Sequence, residues 1–157
     1  MRVGLGLDAH AFDQRRTLVL GGVQISGSPG LSGHSDGDVL SHAVADALLS
    51  ASGLSDLGSS FPNTARWKDV SSLVILAETA RTVSAGGWRI GNIDATLVAQ
   101  NPPLAPHRDE MITGLAGALS VAPSSVWVKA TTSDGLGFTG RSEGIAAFAV
   151  ALVEREG

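Results

Sequence analysis

The sequence predicts an α+β fold built as one domain over residues 1–157: a sheet covered by helices, with a small hairpin. Three observations carry that prediction. The 157 residues are 43% apolar, enough for one core without staples. The chain opens on two-residue alternation, the period of a strand. Beyond it, strand-like and helix-like segments alternate, separated by Gly- and Pro-rich breaks.

Each element has its own signal. Val3, Leu5, Leu7 and Ala9 alternate with Gly4, Gly6, Asp8 and His10. Leu5, Leu7 and Ala9 are expected to face the core, leaving the glycine side open for something large. Residues 17–20 and 23–25 flank Gly21-Gly22, a hairpin signal, and 27–33 read as loop. A first helix is expected over 36–52, capped by Ser35 or Asp36. Residues 53–68 read as loop, broken by Gly53, Gly58 and Pro62. A second helix is expected over 69–84, with Val70, Leu73, Val74, Ala77 and Ala80 buried and Gly86-Gly87 ending it. Residues 88–100 read as a strand with Ile93, Ala95, Leu97 and Ala99 on one face. A third helix over 106–119 turns Met111, Ile112, Leu115 and Leu119 inward. Residues 126–130 read as a strand, and 131–144 as a polar, Gly-rich loop. Residues 145–153 fit a strand or a helix equally well.

Composition excludes several classes. Net charge is −4, tyrosine is absent and aromatics are 4%. A nucleic-acid binder wants a basic face and stacking rings. With no cysteine, disulfides and thiolate ligands are out, and any metal must bind His, Asp or Glu. No apolar run reaches the ~20 residues that span a bilayer. The N-terminus has no signal-peptide pattern. The expectation is a cytoplasmic protein with neither nucleic-acid nor membrane partners.

Two clusters carry chemistry. Asp8 and His10 project from one face of a strand, and His42 lies on the first helix with Asp38 and Asp46 four residues either side. If that helix leans on the strand, Asp8, His10 and His42 meet as a catalytic zinc site with an open position. Asp38 or Asp46 would then orient an imidazole. The plainer alternative leaves Asp8 and His10 capping a turn and His42 solvated. Asp36 fits a helix-capping role. The second cluster is KATTSDGLGFTGRSEG, residues 129–144. Its hydroxyls, glycines and Arg141 suit a phosphate, and Asp134 suits a hard cation. It lacks the ending of a Walker loop, and a flexible connector would look similar.

The segments LDAHAF, GHSDGDVLSHAVADALL, DLGSSFPNT, AQNPPLAPH and KATTSDGLGFTGRSEGIA, in this order, closely resemble the 2-C-methyl-D-erythritol 2,4-cyclodiphosphate synthase family, from Met1 to about Val153. The resemblance implies an enzyme of the non-mevalonate isoprenoid pathway. Its substrate would be 4-diphosphocytidyl-2-C-methyl-D-erythritol 2-phosphate. The 2-phosphate would attack the β-phosphorus of the same molecule and release CMP, a phosphorus–oxygen lyase reaction. The implied fold is a mixed four-stranded sheet with helices on one face, assembled as a homotrimer with active sites between subunits. Residues 145–153 become a strand by the same analogy.

Roles are implied residue by residue. Asp8, His10 and His42 match the zinc ligands. Asp134 matches an acid, more often glutamate, holding a second ion, magnesium or manganese. His34 and Ser35 match phosphate contacts, with His34 and Thr132 as transition-state stabilisers. Asp8, Ala9, His10 and Asp134 also count among the substrate contacts that the resemblance implies. Asp56, Leu57 and Gly58 match the sugar contacts, continued by Phe61, Pro62, Asn63, Thr64 and Ala65. The cytosine pocket matches Ala99, Gln100, Asn101, Pro102, Pro103, Leu104 and Ala105 together with Thr131, Thr132 and Ser133. Phe138 and Arg141 match further substrate contacts. Asn63 replaces a common Asp and Pro103 a common Lys, so one charge and one cytidine contact differ. A water-using zinc phosphoesterase and a non-catalytic nucleotide-binding trimer are the other readings.

Overall fold

The computed structural model describes residues 1–155 and Gly157. Its first strand, β1 (Arg2–Leu20), serves two neighbours in turn. The first half pairs antiparallel with β5 (Gly144–Arg155), from Arg2↔Val153 to Ala11↔Gly144. The second half pairs antiparallel with β2 (Val23–Leu31), from Phe12↔Leu31 to Leu20↔Val23. Gly21 and Gly22 join them at φ 57° and 76°, the pair of positive angles that a tight hairpin turn demands. The sheet order is β2-β1-β5-β3-β4. β3 (Trp88–Val98) runs antiparallel to β5 and parallel to β4 (Val126–Thr131).

The sheet is mixed, as expected, but has five strands rather than four. The hairpin is no separate ornament; its outer arm bonds to the extension of β1. Residues 27–31 belong to that arm despite Gly27 and Pro29. At a sheet edge a proline can leave its missing N–H on the open side. Residues 144–155 are a strand, which resolves the ambiguity of periodicity.

Three helices pack on one face: α1 (Val39–Ser52), α3 (Ser72–Ala85) and α4 (Arg108–Leu119). Short helices α2 (Leu57–Ser60) and α5 (Gly137–Gly140) lie in the segments read as loop. α1 starts later than expected. Gly37 at φ 79° breaks the helical backbone, and Asp38, not Ser35 or Asp36, caps it by accepting from Ser41 N at 3.0 Å. α3 also starts later, behind a Ser71 cap. Its buried face is Ser72, Ile75, Leu76, Thr79 and Val83, while Val74 is 49% exposed. Of the predicted stripe, Val70, Leu73 and Ala80 pack half-buried against the core, because two hydroxyl residues share the inward face. Thr79 satisfies its hydroxyl on Ile75 O at 2.9 Å. The inward faces of β3 and α4 are as predicted.

The largest correction concerns β1. Val3, Leu5 and Leu7 are 65%, 62% and 57% exposed, and Gly4 and Gly6 face the helices. The large object that the glycines admit is α1 itself. Among the described residues no helix is long and apolar enough to cross a membrane.

Candidate active site

The site is built on a backbone-to-backbone approach. Gly4 and Gly6 lie against Ala43, Ala47 and Ala51, the small stripe of α1, and a Cβ on either glycine would overlap the α1 backbone. Two residues further along the same face of β1 come Asp8 and His10. One residue before Ala43 comes His42. The glycine–alanine contact therefore sets the gap between the strand ligands and the helix ligand.

Asp8, His10 and His42 meet as spacing suggested. His10 Nε2 lies 2.7 Å and His42 Nδ1 2.9 Å from Asp8 Oδ2. The three ligand atoms fall within 4.8 Å of one another. The outward nitrogens fix the tautomers. His10 Nδ1 donates to Ser32 O. Ser72 Oγ gives its only proton to Asp36 Oδ1, so it can only accept from His42 Nε2, at 3.0 Å. Ser35 Oγ also lies 2.9 Å from that nitrogen. In the neutral rings both protons thus point away, and the two inner imidazole nitrogens converge on a carboxylate. Such a set fits a metal ion, and without one an inner nitrogen takes up a proton and donates it to Asp8. Burial raises the Asp8 carboxyl pKa, but hydrogen bonds from His10 and His42 outweigh it and hold the group well below the usual range. Burial lowers the His10 pKa, and the Asp8 contact reverses this to a net rise.

The aspartates of α1 do other work than expected. Asp38 is fully buried and accepts from Gly21 N, Gly22 N and Ser41, tying the hairpin turn to the helix. Burial pushes its carboxyl pKa up. Asp46 accepts from Leu57 N at 3.1 Å and seats α2. Neither meets a histidine; Asp36, through Ser72, does. Ser72 was invisible in the sequence, since a serine after a helix cap carries no spacing signal.

A cleft of about 260 Å³ opens beside the triad. Its lining includes His34, Ser35, Leu57, Gly58, Phe61 and Asn63, all expected, and Trp67 and Ile75, which were not. Phe61 and Trp67 meet edge to face at 4.9 Å and stiffen one wall. His34 Nε2 contacts Thr64 O at 2.7 Å. Asp56 caps α2 through Ser59 N at 2.8 Å. Pro62 and Ala65 continue that segment beyond the cleft lining.

The remaining predicted residues lie elsewhere in the chain. Ala99, Gln100, Pro102–Ala105, Thr131 and Thr132 line a second pocket of about 280 Å³, and Asn101 is on the same loop. Ser133 Oγ is engaged by Leu136 O and Thr139. Asp134 is exposed at φ 51° and stands outside the triad. Phe138 is 42% exposed. Arg141 pairs with Glu143 at 2.8 Å on the surface, a contact weak enough to exchange for an anion.

Comparison with known proteins agrees with this geometry. The YgbB family model matches residues 1–154. The chain is 54% identical over 158 residues to the 2-C-methyl-D-erythritol 2,4-cyclodiphosphate synthase of Pelotomaculum thermopropionicum, covering 100% of this chain and 98% of the relative. It is 55% identical over 153 residues to the bifunctional enzyme IspD/IspF of Anaeromyxobacter dehalogenans, covering 97% of this chain but only 39% of that longer protein. It superposes on the CDP complex of IspF from Plasmodium falciparum with a TM-score of 0.86 at 31% identity, covering 99% and 97% of the two chains. With its fold, its triad and nearly its whole length accounted for, the chain belongs to the YgbB family.

Proposed function

We propose that the protein converts 4-diphosphocytidyl-2-C-methyl-D-erythritol 2-phosphate to 2-C-methyl-D-erythritol 2,4-cyclodiphosphate and CMP. The observation that carries this is the convergence of Asp8, His10 and His42 beside a cleft, in a chain whose full-length relative bears the synthase name. The bound CDP of the Plasmodium falciparum structure supports a cytidine diphosphate ligand.

Asp8, His10 and His42 hold zinc, and Asp134 holds magnesium or manganese. Bound there, the ions supply Lewis-acid polarisation of the β-phosphate and charge relief for departing CMP. The residues do the positioning. His34 and Ser35 contact phosphate; Asp56, Leu57 and Gly58 orient the sugar. Residues 99–105 and 131–133 hold cytosine, and Thr132 joins His34 against the charge of the transition state. Phe138 and Arg141 add substrate contacts. No general base is needed, because the attacking phosphate oxygen is already anionic at neutral pH. Catalysis is positioning plus electrostatics.

The reading includes a homotrimer. Two features support it. The metal cleft and the 99–105 pocket are separate cavities in one chain, so one substrate spans both when neighbouring subunits join them. The helix-free face of the sheet exposes Leu5, Leu7, Phe148 and Val150, an apolar surface suited to subunit contact.

The test is an incubation with the cytidyl diphosphate substrate and Mg²⁺, read by ³¹P NMR with and without a zinc chelator. CMP and a cyclic diphosphate, both lost on chelation, are expected. A linear bisphosphate would make water the nucleophile and the protein a hydrolase. No turnover by folded, zinc-loaded protein would leave a binding module. In the same assay Asp134→Ala should abolish the magnesium or manganese dependence while zinc stays bound. An unchanged dependence would put the second ion elsewhere.

A further inference from the structure

Arg16 sits where the β1–β2 ladder skips. Asp13 pairs with Gly30 and Thr17 with Pro29, leaving residues 14–16 out of register. The irregularity frees the side chain to leave the sheet edge. Its guanidinium reaches the segment between β2 and α1. There it donates to Gly33 O at 2.7 Å and Ser35 O at 2.5 Å, with Leu31 O at 3.5 Å. Asp69 Oδ1 lies 3.3 Å away as counter-charge, and the arginine side chain is only 22% exposed.

The acceptors are alternate carbonyls. Those of residues 31, 33 and 35 end on Arg16, and those of 32 and 34 face elsewhere. Ser32 O takes the Nδ1 proton of His10, and His34 O accepts from Asp69 N at 2.9 Å. In a non-helical chain, fixing every second carbonyl fixes the direction of those between. A planar guanidinium has enough donors for this, in a rigid fork.

We propose that Arg16 is a positioning residue for the metal centre. By collecting three alternate carbonyls, it aims Ser32 O at His10 and keeps the His10 Nε2 lone pair turned toward Asp8 and His42. The role rests on the zinc reading above. Partners of a ligating imidazole are worth roughly 10- to 100-fold in metal affinity, and Arg16 acts through one such partner.

The experiment measures zinc affinity by chelator competition on wild type, Arg16→Met, Arg16→Lys and Leu18→Ala. Leu18 is fully buried two residues along β1, so its truncation weakens the fold without touching those carbonyls. Arg16→Met is expected to bind zinc about 10- to 100-fold more weakly. Arg16→Lys should fall between it and wild type, and Leu18→Ala should bind as wild type does. The d–d spectrum of Co²⁺-loaded Arg16→Met should also shift. Wild-type affinity in folded Arg16→Met would overturn the proposal, as would an equal loss in Leu18→Ala. If Arg16→Met does not fold, wild-type affinity in Arg16→Lys would overturn it. A wild-type protein that takes up no zinc would sink the centre itself, and the role of Arg16 with it.

Discussion

His42→Ala is expected to lose tightly bound zinc and nearly all turnover while remaining folded. The residue supplies the only ligand that comes from α1, so its loss leaves two strand ligands facing an open side. The fall in zinc affinity should exceed the roughly 100-fold typical of losing an outer partner. The structural cost is smaller. Ser35 and Ser72 lose a shared partner, a penalty of about 1–3 kcal/mol, and Ser72 keeps its bond to Asp36. Metal content after dialysis, CMP release and circular dichroism on one preparation separate these effects. Full turnover in the variant would remove His42 from the zinc site.

Gly6→Ala should be the more damaging change, although it adds one methyl group and touches no ligand. The new Cβ would overlap the Ala43 carbonyl and lie 2.5 Å from Ala47 N. Both are helix backbone, which cannot swing aside as a side chain does. α1 must lift off the sheet, at a cost of about 3 kcal/mol or more. His42 moves with it, away from Asp8 and His10. A lowered urea midpoint and weakened zinc binding should therefore appear together. Wild-type stability would show that the strand and helix are not in backbone contact.

The same contact explains what the sequence could and could not reveal. Spacing brought Asp8 and His10 to one face and nominated His42, because side-chain direction on strands and helices is periodic. It assigned the face wrongly. The ordinary rule turns Leu5 and Leu7 inward, whereas here the glycines are inside because a helix backbone occupies the room. Three acids on or just before the first helix were also ambiguous. Asp36, Asp38 and Asp46 each hold a backbone or hydroxyl partner from a distant segment, and such pairings follow from topology rather than from local pattern. Arg16 and Ser72 were missed for the same reason: their partners lie in other segments of the chain.

The pairing of β1 with β5 has a kinetic consequence. Asp8 is opposite Ala147 and His10 opposite Ile145, so the two strand ligands lie in a ladder that joins opposite ends of the domain. Contacts so far apart in sequence close late, since the chain must give up its loop entropy before they form. During synthesis, Asp8 and His10 would lack their ladder partners until β5 has left the ribosome. On that order the triad is expected to be completed late in folding rather than to nucleate it. A metal held by the triad would then be taken up by an almost finished protein, and a chain stalled before β5 is expected to bind it more weakly.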